Sequence, residues 1–447
     1  MIEESRQPPV PPADDALPKR RTSRFRSGND AEFSVALKVV TPILGGGFFT
    51  AGEDKDYRQY NTIRVPSIRG HLRFWWRALQ PVDLTPTGQQ LRQRERDLWG
   101  GMGTAGGNEE DKQPKASRVS VRVEAVQPEN PEIDSGDPPD GGRGYSLFPA
   151  REQTRGVIRP TVPRLKPGIT FTLRVSCPAD HVEEVRRAVQ AWILFGGYGS
   201  RTRRGLGSLT VTADTEQWLP NAPGGDMVQS LIAGTGSTTD TPTVAGSWLV
   251  FGQPIPDAEK AWDRAVEQLQ LFRQQPGLAR DAGQKPNHPG QSRWPEPDKI
   301  RHLTNTWGHP QRPEIGPQPA WPRAQFGLPI VGRFNAGNEP GAFDIQWQAD
   351  GANKPCDRLA SPLIVKALPL ADGKFVPCAL WLARGFPAGK AVLVMNKHVV
   401  SGSAAPFERM RGDGDTDLHD ALKDKSSVRQ AFLDWLVKDC RWQRVNG

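Results

Sequence analysis

The order of six patterned segments in the first half of the chain restricts its fold more than any other feature. Apolar residues alternate or run together in four segments that we predict as strands, and they recur at helical spacing in two others. The segments are a strand at 33–44, a helix at 64–79, strands at 117–126 and 169–176, a helix at 182–195 and a strand at 208–212. This order predicts an α+β, ferredoxin-like (RRM-like) βαββαβ domain with long insertions, one of them at 127–145.

The second half has a similar but less regular series. We predict strands at 246–251, 329–334, 363–369, 375–383 and 390–393, and helices at 258–272 and 427–440. The sequence thus predicts a disordered basic arm at 1–31, a ferredoxin-like domain at 32–213 and a linker at 214–244. A second ferredoxin-like domain at 245–447 would carry a proline-rich insertion at 276–322, with room for one short element near 298–303.

The charge and composition of the chain indicate which kinds of binding partner to expect. The 447 residues include 58 Lys and Arg against 50 Asp and Glu, and the net charge of +8 favours a polyanion or a negatively charged surface. The four cysteines are far apart and form no zinc pattern, so we expect no cysteine-held metal and no cofactor. The sequence has neither a long apolar run nor a signal peptide, so we expect a soluble cytoplasmic protein.

The predicted helix at 64–79 has two different faces. Pro66 suits a first helical turn, and Ser67 is a candidate N-cap. One face should pack on a core through Ile68, Leu72, Trp75 and Leu79. The other face carries an arginine stripe, with no acidic residue in the same segment, formed by Arg69, Arg73 and Arg77. The stripe indicates a bound anion; the alternative is a solvated basic surface.

A glycine loop at 196–207 is the second basic feature. It contains five glycines together with Arg201, Arg203 and Arg204. Glycines let backbone N–H groups turn towards an anion, and arginine binds phosphate with two hydrogen bonds. The loop follows a helix and precedes a strand, which is the reverse of a P-loop or a dinucleotide-binding motif. We therefore reject nucleotide hydrolysis and dinucleotide binding; the alternative is a tight turn with exposed arginines.

Two arginine clusters without acidic residues lie near aromatic residues in the sequence. This combination indicates RNA binding, because cations bind the phosphates of RNA and aromatic rings stack on its bases. The predicted RNA-binding residues are Gly45, Gly46, Gly47, Arg64, Ser67, Arg69, Gly70, His71, Arg73, Trp76, Arg77, Arg201, Arg203, Arg204, Gly205, Arg293 and Trp294. Among them, His71 is the one histidine inside a basic cluster and could act as a general base in RNA cleavage. A phosphate or backbone contact is the simpler role, and the sequence contains no other catalytic motif.

Several of these blocks resemble a known family, the RAMP-superfamily subunit one of the type III-B (Cmr) CRISPR effector complex. The similar blocks are TPILGGG at 41–47, RVPSIRGHLRFWWRAL at 64–79, SRWPEPDKIR at 292–301, FGLPI at 326–330 and RLASPL at 358–363. The end of the glycine loop, RGLGS at 204–208, resembles the glycine-rich loop of the whole superfamily.

The resemblance implies two ferredoxin-like domains and a non-catalytic RNA-binding subunit in antiviral defence. It implies contact with the 3′ region of the guide RNA, a role in capturing target RNA, and other RAMP subunits as partners. Target cleavage in such complexes belongs to the repeated backbone subunit. Two alternatives stay open: a RAMP-type endoribonuclease that uses His71, and a structural scaffold whose basic faces meet acidic neighbours.

Overall fold

The computed structural model describes residues 29–45, 63–81, 89–103, 112–152, 161–283, 290–334, 337–356 and 358–445. Residues 1–28 of the predicted basic arm lie outside the described residues, as do Gly46 and Gly47 of the predicted site. The last residues of the predicted arm belong to the first strand.

The first half contains the predicted βαββαβ unit. Its strands are β1 (Asp30–Val39), β2 (Ile43–Leu44), β3 (Ser120–Gln127), β4 (Ile133–Asp134), β5 (Arg164–Leu165), β6 (Thr170–Pro178) and β7 (Leu209–Val211). Its helices are α1 (Val65–Ala78), α2 (Gln89–Trp99), α3 (Gly142–Ser146) and α4 (Val182–Phe195). The first sheet has the antiparallel order β3–β6–β1–β7. With α1 and α4 as its crossovers, this is the ferredoxin-like arrangement.

The second half repeats this topology with larger insertions. Its helices are α5 (Thr215–Trp218), α6 (Asp226–Ile232), α7 (Ala258–Gln274), α8 (Glu296–Thr304) and α9 (Val428–Lys438). Its strands are β8 (Thr243–Phe251), β9 (Ile330–Arg333), β10 (Ala342–Gln348), β11 (Leu363–Pro369), β12 (Phe375–Ala383), β13 (Lys390–Met395), β14 (His398–Val399) and β15 (Gln443–Val445). The second sheet has the antiparallel order β11–β12–β8–β15, with α7 and α9 as crossovers. The predicted α+β class is confirmed.

Two insertions in the second half build a sheet that the sequence did not predict. Strands β9, β10, β13 and β14 pair in the order β14–β13–β10–β9. The prediction contained β9 and β13 but missed β10, although Phe343, Ile345 and Trp347 alternate along it. Residues 214–244, predicted as a linker, contribute α5 and α6 and bury Val228 and Ile232 in the core.

The two halves share a core because the second sheet is apolar on both faces. Leu249 and Leu380 belong to the core cluster that also contains Leu72 of α1 and Trp192 of α4. On the opposite face, Val250 joins the cluster formed with α7 and α9. Helices α1 and α4 therefore contact both sheets, which fixes the glycine loop that follows α4 against both halves.

The described part of the chain gives two further negative findings. Within it, no group of three or more His, Cys, Asp or Glu side chains is placed to hold a metal ion. Its helices include none that is both long and apolar enough to cross a membrane.

Candidate nucleic-acid interface

The start of α1 is attached to the glycine loop through a buried tyrosine. Arg64 is the N-cap of the helix and its backbone N–H donates to the hydroxyl of Tyr198 over 2.8 Å. The same hydroxyl hydrogen-bonds the side chain of Ser67. The predicted N-cap role of Ser67 is therefore wrong, because the helix begins two residues earlier, at Val65.

The first glycine of the predicted triple glycine lies beside the tip of the same loop. The backbone N–H of Ser200 donates to the carbonyl of Leu44 over 2.7 Å. Gly45 has φ +63°, and a Cβ atom there would lie 2.8 Å from the Ser200 hydroxyl. A side chain at Gly45 would have to displace the Ser200 hydroxyl, so Gly45 lies directly beside the tip of the loop.

His71 faces the glycine loop from α1. Its ring is stacked with Trp192, with 6.3 Å between centroids, and lies 6.4 Å from the ring of Tyr198. Burial lowers the pKa of His71 to about 4, so the imidazole is neutral at neutral pH. A general base works best with a pKa near the operating pH, so this environment disfavours the endoribonuclease alternative. Gly70, next to it, is exposed with open space above it.

The arginine stripe has an internal partner, which corrects the prediction that an outside anion balances it. Glu95 of α2 is buried and binds Arg73 over 2.7 Å and Arg77 over 2.5 Å. Arg69 donates to the backbone carbonyl of Trp99 at the end of α2. The stripe therefore fixes α2 to α1. Glu95 was within the predicted second helix, but nothing in the sequence indicated that the two helices pack together.

Three other predicted RNA-binding residues are occupied by internal contacts. Trp76 and Trp294 are each 1% exposed, so neither can stack on a base in this structure. Arg293 forms ion pairs with Asp417 over 3.4 Å and with Asp420 over 2.9 Å. Burial thus contradicts base stacking by the two tryptophans, and Arg293 is paired with carboxylates of the protein itself.

The glycine loop is held in place by both halves of the protein. The carbonyl of Arg204 accepts hydrogen bonds from the Ser146 hydroxyl, over 3.1 Å, and from the Trp262 indole of α7, over 2.7 Å. Gly205 has φ +79°, and a Cβ atom there would lie 2.4 Å from the Trp262 ring. The carbonyl of Gly205 accepts from the buried Thr41 hydroxyl over 2.7 Å. The loop is thus a fixed structure.

An arginine cluster surrounds this loop: Arg201, Arg203, Arg204 and Arg273. Burial, together with the other three arginines, lowers the pKa of Arg204 to about 10, and its Nη1 atom is buried without a hydrogen-bond partner. Arg273 of α7 donates to the hydroxyl of Tyr145 over 2.6 Å. None of the four forms an ion pair with a carboxylate among the described residues, whereas buried charges are normally paired.

Arg203 extends the cluster towards the second half. Its guanidinium lies over the ring of Phe74, 5.3 Å from the centroid, and donates to the carbonyl of Ser361. Burial and the nearby Arg384 lower its pKa to about 10. Sequence reasoning found the three loop arginines but missed Arg273 and Arg384, which are distant in sequence and have no local motif.

Part of the chain is similar to a known protein family. Residues 36–210 match the family model of the RAMP superfamily. A Pyrococcus furiosus protein, CRISPR system Cmr subunit Cmr1-1, is 26% identical over 164 residues, which are 36% of this chain and 44% of that protein. The aligned region thus spans less than half of the relative. These matches confirm the resemblance that the sequence blocks predicted.

Solved structures of low identity also align with the chain. The crystal structure of Cmr1 from Pyrococcus furiosus in its apo form aligns with a TM-score of 0.45 and 14% identity, over 93% of this chain and 98% of that chain. A chain of the cryo-EM structure of the type III-B Cmr-beta complex bound to cognate target RNA also aligns, with a TM-score of 0.40 and 12% identity. The alignment covers 78% of this chain and 94% of that chain.

Proposed function

We propose that this chain, which carries a RAMP-superfamily segment at residues 36–210, is a non-catalytic RNA-binding subunit of a type III-B CRISPR effector complex. The observation that carries the proposal is the arginine cluster, whose like charges surround the glycine loop and form no ion pair with a carboxylate of the described residues. An RNA backbone supplies this negative charge, and arginine binds phosphate through two parallel hydrogen bonds.

The RNA-binding surface that we propose is the junction of α1, Gly45 and the glycine loop. Its members from the predicted set are Gly45, Arg64, Ser67, Gly70, His71, Arg201, Arg203 and Arg204. Gly205 is buried against Trp262 and shapes the loop without a contact of its own to RNA. Exposed Gly70 allows the RNA backbone to approach α1 closely. The neutral imidazole of His71 can donate one hydrogen bond to a ribose or phosphate oxygen. Because base pairing reads the sequence in a guide-RNA complex, we expect backbone contacts without base preference.

The relative's name supports the biological setting that we propose. That name is of a Cmr subunit of a CRISPR system. In this setting, our proposal is that the chain contacts the 3′ region of the guide RNA, helps to capture target RNA and binds other RAMP subunits in the cytoplasm. Arg69, Arg73 and Arg77 would then support the surface indirectly, because they position α1 and α2 relative to each other.

The proposal predicts that Arg201→Glu combined with Arg204→Gln weakens the binding of single-stranded RNA by more than about tenfold. The loss of two phosphate contacts should also reduce the slope of log K against log salt by about 1.4, since each contact to a single strand contributes about 0.7. Fluorescence anisotropy at several salt concentrations measures both quantities.

A matched control changes the net charge by the same amount elsewhere. Lys354→Glu with Lys390→Gln alters two exposed lysines of the second half, and we expect its RNA affinity to stay within about twofold of wild type. Equal affinity of the arginine variant and wild type would favour the scaffold alternative. Cleavage of target RNA by the purified protein, lost in His71→Ala, would favour the endoribonuclease.

A further inference from the structure

We infer that the second half carries a separate phosphate-binding site, at a cavity between Arg384 and Arg429, which takes phosphodiesters of the same RNA strand. This inference rests on the proposed function and extends it beyond the glycine loop. It assigns a role to arginines that neither the sequence motifs nor the first site includes.

The cavity has a volume of about 100 Å³ and a basic, aromatic lining. Two arginines and no acidic residue line it, together with the polar side chains of Gln325 and Ser427 and the aromatic ring of Trp381. Among the residues that the structure describes, the one acidic group that influences the pKa of Arg384 is the exposed Asp240, and the two form no ion pair. A phosphate would therefore meet two cations and no opposing carboxylate.

A second pair of arginines continues from this cavity. The guanidinium groups of Arg429 and Arg444 lie 4.5 and 3.7 Å from the ring centroid of Trp248. Neither forms an ion pair with a carboxylate in the part of the chain that the structure describes. Burial, and then the nearby Arg444, lowers the pKa of Arg429. The indole contacts both groups through cation–π interactions, so two cations are already held beside one aromatic ring.

Arg384 connects this site to the glycine loop. It lies close enough to Arg203 to lower the pKa of that side chain, and Arg203 in turn reaches Phe74 of α1. The arginines thus form a series from Arg203 through Arg384 and Arg429 to Arg444. Aromatic rings accompany the series, a combination that suits a single nucleic-acid strand better than an acidic protein surface.

The test is the charge reversal of Arg429→Glu with Arg444→Glu, compared with wild type and with Arg201→Glu/Arg204→Gln. The ligand is a single-stranded RNA of about 20 nucleotides, longer than the site of one small RNA-binding domain. We expect at least a tenfold loss of affinity and a smaller salt slope. The control Lys354→Glu with Lys390→Glu, which changes the net charge equally, should bind as wild type does. Arg444→Glu alone, at an exposed strand position, should give a smaller loss without risk to folding.

The outcomes separate the two proposals. If Arg201→Glu/Arg204→Gln weakens binding and Arg429→Glu/Arg444→Glu binds as wild type, the second site is refuted and the first stands; an acidic protein would then be the better partner for these arginines. If the reverse holds, the second site stands and the glycine loop is refuted. If wild type binds no RNA, the proposed function fails, and the second site fails with it.

Discussion

Gly207→Ala is expected to lower the free energy of unfolding by about 3 kcal/mol or more and to abolish RNA binding. Gly207 has φ +62°, and a Cβ atom there would lie 1.8 Å from the carbonyl oxygen of Tyr198. That oxygen cannot move away easily, because the Tyr198 N–H donates to the Gly207 carbonyl over 2.8 Å. The Gly207 N–H in turn donates to the carbonyl of Pro42 over 2.9 Å. The alanine side chain can therefore be accommodated only if these backbone hydrogen bonds, which close the glycine loop, are broken.

A matched glycine separates the effect of this collision from that of the backbone conformation. Gly414 has φ +79° and no heavy atom within 4 Å of the added Cβ position. Gly414→Ala should therefore cost only about 1 kcal/mol, from the left-handed conformation alone. Urea unfolding of both variants measures the difference. Equal losses of stability would mean that the glycine loop is not closed as described.

Lys366 is expected to make a contribution to the stability of the protein that rises with pH above neutrality. This lysine of β11 is fully buried and donates to the carbonyls of Ile193, over 3.2 Å, and Gly196, over 2.8 Å, at the end of α4. Burial lowers its pKa to about 7 from an ordinary value of 10.5. The neutral amine has two hydrogens, enough for both carbonyls, so the folded protein can release the proton without losing either bond.

The sign of the effect follows from the proton count. Between pH 7 and 10 the unfolded chain keeps a proton on Lys366 that the folded chain has released, so the Lys366 contribution to stability rises by about 3 kcal/mol over this interval. Three cysteines whose pKa values are raised by burial, Cys177, Cys378 and Cys440, act in the opposite direction. Lys366→Met should therefore have a lower slope of stability against pH than wild type, and Lys390→Met, at an exposed position, should have the wild-type slope. The urea midpoints of wild type and both variants, measured at each pH, give the three slopes to be compared. An unchanged slope in Lys366→Met would show that the amine is not buried in the folded state.

Elements that are apolar throughout, or amphipathic on their own, could be predicted from the sequence. The helix at 182–195 and the strands at 363–369 and 375–383 have the predicted bounds, since their patterns are long and uninterrupted. The buried state of Trp76 could not be predicted, because α1 lies between two sheets and is covered on more than one face. The prediction from the amphipathic pattern took only one face of α1 to be buried.

The candidate site was predictable where its residues are close in sequence. The glycine loop shows its arginines and glycines in one short segment, so a local motif was enough to find them. Glu95 pairs with arginines of another helix, and Arg273 approaches the loop from the other half of the chain. Such contacts depend on how the two halves pack, and a single sequence does not specify that packing.

Photo-crosslinking from the glycine loop tests the central claim most directly. Ser200 is exposed at the tip of the loop, next to Arg201, and a photoreactive amino acid at this position can report on its neighbours without replacing an arginine. In the assembled complex with guide and target RNA, we predict crosslinks from position 200 to RNA and none from the exposed control position 390. Crosslinks from position 200 to protein alone would contradict the account.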